Sequence, residues 1–214
     1  MPAACLFDLD GVLVDTARYH YLAWKRLAAE LGIGFTRDDN EQLKGVSRIR
    51  SLELIMEWGG ITRSAPEMEE LAARKNGWYL DMISTITPEE LLPGALDFIR
   101  AVRQAGIRVA LGSASKNSAI ILEKTGIAPY FDAIVDGSTV SASKPDPEVF
   151  LTGARMLGVS PGDCVVFEDA VAGLGAARAA GMKVIGVGSP EILKDADLVI
   201  SGLHEMPTDR LKGL

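Results

Sequence analysis

The segment Ala4-Cys5-Leu6-Phe7-Asp8-Leu9-Asp10-Gly11 joins a short apolar run to two carboxylates and a glycine. Unbroken rather than alternating apolarity marks a strand covered on both faces, as in a parallel sheet. Such a strand, ending in Asp8 and Asp10, puts two acids at the carboxyl edge of the sheet, where open α/β folds bind their ligands. A second reading stays open here, because Asp10-Gly11 between Leu6-Phe7 and Val12-Leu13-Val14 is also a strong hairpin-turn signal.

Working outward, apolar runs of strand length recur at Arg108 to Leu111, Cys164 to Phe167, Val184 to Val187 and Leu198 to Ile200. Helical patterns separate most of them: Ala95 to Gln104 after Pro93-Gly94, Ser118 to Lys124 ending at Gly126, Pro147 to Leu157 ending at Gly158, and Gly173 to Ala180 ending at Gly181. Glycine at these ends suits a left-handed helix cap. Alternation of this kind predicts an α/β fold with a Rossmann-like parallel sheet and right-handed crossovers. Between Asp15 and about Leu92 the pattern is helical with no convincing strand. The expected organisation is therefore a core of residues 1–14 and 93–214 and an inserted helical cap of residues 15–92, with hinges near Val14-Asp15-Thr16 and Leu91-Leu92-Pro93-Gly94.

The 214 residues are 48% hydrophobic and 24% charged, with mean hydropathy +0.16 and net charge -7. That composition belongs to a folded globular chain and disfavours nucleic acid or an anionic membrane as partner, since both reward a basic face. With no apolar run long enough to span a bilayer and no signal-like N-terminus, the expectation is a cytoplasmic protein. Cys5 and Cys164 fall inside strand-like runs and read as small buried thiols rather than a disulfide.

Ser113, Lys144 and Glu168-Asp169 each follow a later strand or lie in a loop at the sheet edge that carries Asp8 and Asp10, so four loops converge on one crevice. Simpler readings exist for each. Ser113 would serve as a helix N-cap, Lys144 as a loop lysine, and Glu168-Asp169 as an N-cap pair for the helix that follows.

Asp8-Leu9-Asp10-Gly11, Ser113, Lys144-Pro145 and Glu168-Asp169, in this order over almost the whole chain, resemble the four motifs of the haloacid dehalogenase superfamily. Within it, Thr16 to His20, Trp24, Asn40-Glu41-Gln42-Leu43-Lys44-Gly45-Val46-Ser47-Arg48, Arg74-Lys75-Asn76 and Ser113-Ala114-Ser115-Lys116-Asn117 resemble the β-phosphoglucomutases. The resemblance implies a haloacid dehalogenase-like fold in which Asp8 is the nucleophile and forms an acyl phosphate. Asp10 would be the acid/base, and Lys144 and Ser113 would hold the transferring phosphoryl group. Dehalogenases of the superfamily lack the second aspartate, so Asp10 argues for phosphorus chemistry.

By the same resemblance Asp8, Asp169, Glu168 and the Asp10 carbonyl would form a Mg²⁺ site, a hard cation relieving the repulsion between carboxylates and phosphate. The Ala114 amide would join Ser113 at the transferring group, and Arg48, with Ser115, Lys116 and Asn117, would grip the phosphate that is not reacting. Thr16, His20, Trp24, Gly45, Val46, Ser51 and Lys75 would complete the substrate site. Arg48 and Lys116 also read as solvated surface charges, His20 as a structural histidine, Lys44 as a surface charge bordering the pocket, and Trp24, Tyr19 and Trp78 as cap packing. Arg50, where an acid is common in the family, puts a charge near Arg48, and Ala170 replaces a frequent serine. The implied activity is interconversion of β-glucose 1-phosphate and glucose 6-phosphate through the 1,6-bisphosphate, by a monomer. The alternatives are a Mg²⁺-dependent sugar-phosphate phosphatase and a non-catalytic phosphosugar-binding module.

Overall fold

A computed structural model describes residues 1–213. Strand β1 (Ala4–Phe7) is followed by helices α1 (Ala17–Glu30), α2 (Arg37–Glu41), α3 (Arg48–Gly59) and α4 (Ala65–Ile83) before the chain returns through α5 (Ala95–Gln104) to β2 (Arg108–Gly112). Then come α6 (Ser118–Thr125), β3 (Ala133–Val135), α7 (Glu148–Leu157), β4 (Cys164–Glu168), α8 (Val171–Ala179), β5 (Lys183–Val187) and β6 (Leu198–Ile200). The described strands form one six-stranded sheet, ordered β3-β2-β1-β4-β5-β6, with each neighbouring pair parallel. Strand order reverses between β1 and β4, which opens a crevice at their carboxyl ends.

Period-two side-chain direction explains why continuous apolar runs suit this sheet. Phe7, Leu111, Phe167 and Ile185 point to the face covered by α5 and α6, while Leu6, Ala110, Val166 and Val184 point to the face covered by α7 and α8. On the first face Phe7 and Phe167 stack with centroids 4.7 Å apart, and Phe98 of α5 meets them edge-on at 6.1 and 5.2 Å. The segment after Gly202 closes the same face with Leu203, Met206 and Leu211.

Helices α1 to α4 hold a cluster of their own around Trp24, Leu27, Leu52, Ile55 and Met56. Tyr79 and Ile83 root this insertion in the sheet core. Its two connections run side by side: the Asp15 N–H donates to the Glu90 carbonyl, the Leu92 N–H donates to the Leu13 carbonyl, both at 2.9 Å, and Arg18 pairs with the Glu90 carboxylate at 2.7 Å.

Several expectations need correction. No strand follows Asp10-Gly11. Instead the Leu13 N–H bonds back to the Leu9 carbonyl at 3.0 Å in a helical turn, which removes the hairpin reading. Strand β3 was not anticipated, because it has only three residues and its central Ile134 is 37% exposed. Helix α7 begins at Glu148, not Pro147, and α8 begins at Val171 rather than Gly173. The Phe7, Phe98 and Phe167 cluster fixes β1 against β4. Phe167→Ala should lower stability by about 3 to 5 kcal/mol, read as a drop in the urea midpoint with an unchanged slope.

Candidate active site

Parallel pairing sets Phe7 opposite Phe167, so the next residues on the two strands, Asp8 and Glu168, emerge side by side at the sheet edge. Lys144, on the loop between β3 and α7 and followed by a cis peptide to Pro145, comes between them. Its ammonium is fully buried, donates to Asp8 Oδ1 at 2.6 Å and also donates to Glu168 Oε1. Burial works against that charge, but Asp8 and Glu168 outweigh burial and raise the lysine pKa. It is no surface loop lysine.

Glu168 and Asp169 do not cap α8 either. Ala170 holds the N-cap position, and Glu168 accepts the Ala170 N–H at 2.9 Å. Burial raises the pKa of both acids, and the charge on Asp8 adds to it.

Carboxylate oxygens of Asp8, Glu168 and Asp169 lie within 4.8 Å of one another. Such a set of hard oxygen donors fits a small divalent cation. Two glycines leave room for it. A Cβ on Gly173 would stand 1.8 Å from Glu168 Oε1, and one on Gly11, at φ 85°, would stand 2.2 Å from Asp169 Oδ2. Both acids are thus packed against positions that admit no side chain.

Asp10 faces the cavity from the turn after β1. Thr16 donates its hydroxyl to Asp10 Oδ1, and His20 Nε2 lies 3.9 Å from the same oxygen. Burial, then the neighbouring Asp8, pushes the Asp10 pKa up to about 6. His20 Nδ1 contacts Lys75 Nζ at 2.9 Å. With the lysine donating, Nδ1 accepts and the ring proton sits on Nε2, toward Asp10. Burial, Lys75 and Arg48 hold His20 well below its usual pKa, so the ring is neutral. Lys75 is itself buried beneath the Trp24 ring, with Nζ 4.4 Å from the centroid, and burial together with Arg48 lowers its pKa to about 7.

One cavity of about 480 Å³ collects most of the residues singled out by sequence: Asp8, Asp10, His20, Trp24, Gly45, Val46, Arg48, Ser51, Lys75, Ser113 to Asn117, and Asp169. Thr16, Lys144 and Glu168 stand behind this lining and act on it through the bonds above. Ser113 accepts the Ser115 N–H at 3.1 Å, and α6 starts only after Asn117, so Ser113 is not its cap. Asn117 donates to Asn76 of α4 at 2.9 Å, a link between core and insertion. Arg50 turns away to Glu53 and Glu57, both at 2.9 Å, and leaves Arg48 alone at the cavity. Trp78 packs under Arg26 and Tyr19 bonds to Glu90, both away from the cavity lining.

Two cavity residues carry more than their sequence signal indicated. Lys44 bridges Glu41 at 2.9 Å and Asp169 at 3.0 Å, carrying a cation from the insertion to the acidic cluster. Its neighbour Gly45, at φ 72°, is the signal that could have found it, because a glycine in the left-handed region marks a turn that redirects the chain at this point. Asn40 also lines the cavity, buried, though it forms part of an otherwise polar helix.

A doubly wound α/β sheet with an acidic cluster and a buried lysine at its switch point defines an enzyme that handles an anionic group at a carboxylate. The chain belongs to the haloacid dehalogenase-like hydrolase family, whose model matches residues 2–181. It is 46% identical over 210 residues to a β-phosphoglucomutase of Bacillus subtilis (strain 168), covering 97% of this chain and 93% of that one. It is 32% identical over 184 residues to a phosphorylated carbohydrates phosphatase of Thermotoga maritima, covering 85% and 83%. Its fold matches the crystal structure of a β-phosphoglucomutase from Clostridium difficile with a TM-score of 0.95 at 41% identity, covering 99% of this chain and 96% of that one.

Two predictions follow from the geometry. Gly173→Ala should displace the Glu168 carboxylate and weaken divalent-cation binding by roughly 10- to 100-fold, read by isothermal titration with Mg²⁺. Lys75 binds its proton below about 7 when folded but below 10.5 when unfolded, so in that window the unfolded chain holds the extra proton. Stability should then rise with pH from about 7 upward, and thermal unfolding across that range should show the rise flattened in Lys75→Met.

Proposed function

We propose that the protein is a β-phosphoglucomutase, interconverting β-D-glucose 1-phosphate and glucose 6-phosphate through β-glucose 1,6-bisphosphate and a phosphorylated Asp8. The observation that carries this reading is a second set of cations in the same cavity. Lys144 neutralises one end beside Asp8, while Arg48 and Lys116 line the cavity with no acidic partner among the described residues. A hydrolase acting on one phosphate needs a single anion site, whereas a bisphosphate intermediate must be held at both ends. The 46% identity to a curated mutase over nearly the whole chain supports the same conclusion.

In the first half-reaction an Asp8 carboxylate oxygen attacks the C1 phosphorus of β-glucose 1,6-bisphosphate, so that glucose 6-phosphate departs. The bond from phosphorus to the sugar oxygen breaks, an acyl phosphate forms, and Asp10 gives its proton to the departing oxygen. In the second, Asp10 takes the proton of the C6 hydroxyl of an incoming β-glucose 1-phosphate, which attacks the acyl phosphate, re-forms β-glucose 1,6-bisphosphate and frees Asp8. Its pKa of about 6 lets Asp10 serve as acid and base near neutral pH. Mg²⁺ held by Asp8, Glu168, Asp169 and the Asp10 carbonyl supplies the positive charge that lets an anionic phosphoryl group meet a carboxylate.

Lys144 neutralises charge on the transferring group, with Ser113 and the Ala114 amide beside it. Ser115 and Asn117 join Arg48 and Lys116 around the second phosphate. Thr16 and His20 orient Asp10, and Lys75 connects that orientation to α4. Trp24, Gly45, Val46 and Ser51 shape the wall against the sugar. Residues 15–92 act as a cap over the core of residues 1–14 and 93–214, and closure excludes the water that would hydrolyse the acyl phosphate.

Sugar-phosphate hydrolysis is the second reading, favoured by the 32% identity to the Thermotoga maritima phosphatase. A coupled assay decides between them, using β-glucose 1-phosphate with Mg²⁺ and catalytic β-glucose 1,6-bisphosphate and following glucose 6-phosphate beside inorganic phosphate. Glucose 6-phosphate should form without phosphate release, and Asp8→Asn should abolish it. Arg48→Ala should cut mutase kcat/KM by roughly 100-fold or more, the loss expected for a charged hydrogen-bonding pair. Phosphate release with no glucose 6-phosphate would overturn the mutase assignment and leave the Asp8 chemistry standing.

A further inference from the structure

Asn40 is 8% exposed, sits in the last turn of α2 and lines the cavity beside Trp24, Leu43, Ser51 and Ala72. Its main chain is used within the turn: the N–H donates to the Thr36 carbonyl at 3.3 Å, and its carbonyl accepts the Leu43 N–H at 3.0 Å. Its side-chain amide makes no hydrogen bond to any described residue. A primary amide carries two donors and an acceptor, and a ligand in the cavity is what can meet them. Asn40 is thus a nine-tenths buried residue that lines the cavity with an amide no described residue partners.

The charged groups assigned above already have counterparts. Phosphate suits Arg48, Lys116 and Lys144, and Asp10 has Thr16 and His20. A primary amide can donate to a phosphate through its NH₂, the role proposed for Asn117, but that leaves its carbonyl oxygen without a donor. The whole amide complements a hydroxyl, which donates and accepts in turn.

We propose that Asn40 is a specificity-determining residue whose amide reads one of the non-reacting ring hydroxyls of the sugar, at C2, C3 or C4. This rests on the sugar-phosphate reading above and adds a neutral contact to its charged ones. A site built to hydrogen-bond a hydroxyl rejects the analogue that lacks it far more strongly than an apolar wall does, because the protein group is then left unpaired.

The test measures kcat/KM for β-glucose 1-phosphate and its 2-deoxy, 3-deoxy and 4-deoxy analogues, in the unmodified enzyme and in Asn40→Leu, which keeps the branching and number of side-chain heavy atoms and removes the amide. Asn40→Ala provides the same comparison should the leucine variant fail to unfold cooperatively. The expected result is a penalty of roughly 10- to 100-fold against one deoxy sugar that collapses in Asn40→Leu, with the other two penalties unchanged. A variant that slows all four sugars by one common factor, or changes none of them, overturns the proposal. Should the unmodified enzyme release phosphate instead of isomerising, the mutase reading fails. The same ratios, read from phosphate release, still decide the role of Asn40.

Discussion

Three carboxylates crowded at the ends of two adjacent parallel strands set the terms for everything around them. The register that stacks Phe7 on Phe167 leaves Asp8 and Glu168 no freedom to separate, since neighbouring strands lie only about 4.8 Å apart. Burying such charges costs several kcal/mol each unless they are paired. Lys144 meets that demand from one side, with both of its acidic partners in reach of a single ammonium. Lys44 adds a second ammonium at Asp169, and two positive charges still do not balance three carboxylates, so the cluster keeps an affinity for a further cation, the property a phosphate-handling site needs.

The helical insertion is tied to this cluster by contacts of different kinds. Lys44 reaches Asp169 through an ion pair, and Asn76 holds Asn117 through a neutral amide pair. His20 and Lys75 address Asp10 from a third direction, where burial keeps the imidazole neutral and the ammonium close to losing its proton. Tyr79 stacks on His20 with centroids 4.0 Å apart and belongs to the core cluster of the sheet, so the surroundings of Asp10 are built by the insertion and the core together. A shift of the insertion changes the environment of Asp10 and leaves the bond between Lys144 and Asp8 untouched.

Much of the sheet was readable because its strands are buried on both faces and so appear as unbroken apolar runs. Strand β3 escaped because an edge position leaves Ile134 half in solvent and only three residues pair. Asp8, Ser113, Glu168 and Asp169 were readable for a related reason, since they stand at strand ends, which a sequence marks best; Lys144, in the loop after the unanticipated β3, was legible only through the resemblance. The insertion was harder. The resemblance to β-phosphoglucomutases pointed to Arg48, Ser51 and Lys75, but neither charge nor periodicity could show that Lys44 leaves the helical surface for Asp169, or that Arg50 turns away toward Glu53 and Glu57. Those outcomes depend on how α2 and α3 pack, a tertiary fact with no local signature. Asn40 is similar, since its neighbours Arg37, Asp38, Asp39 and Glu41 mark a polar helix and only the fold turns this one amide inward.

Asp169 is where the division between core and insertion stops being clean. Its carboxylate belongs to the cluster that would hold a divalent cation, and one of its oxygens accepts the Lys44 ammonium. A carboxylate has about four lone-pair positions on two oxygens, so both partners can be served at once. The cation at the acidic cluster and the position of the insertion are therefore linked through one side chain. The glycine at position 11, whose Cβ would collide with that carboxylate, keeps Asp169 free to take both roles. A bulkier residue there would move the acid and alter the cation site and the contact with the insertion together. The Asp8-Leu9-Asp10-Gly11 turn thus shapes the cluster twice: through the acids it contributes, and through the space it leaves for the acid on β4's side of the crevice.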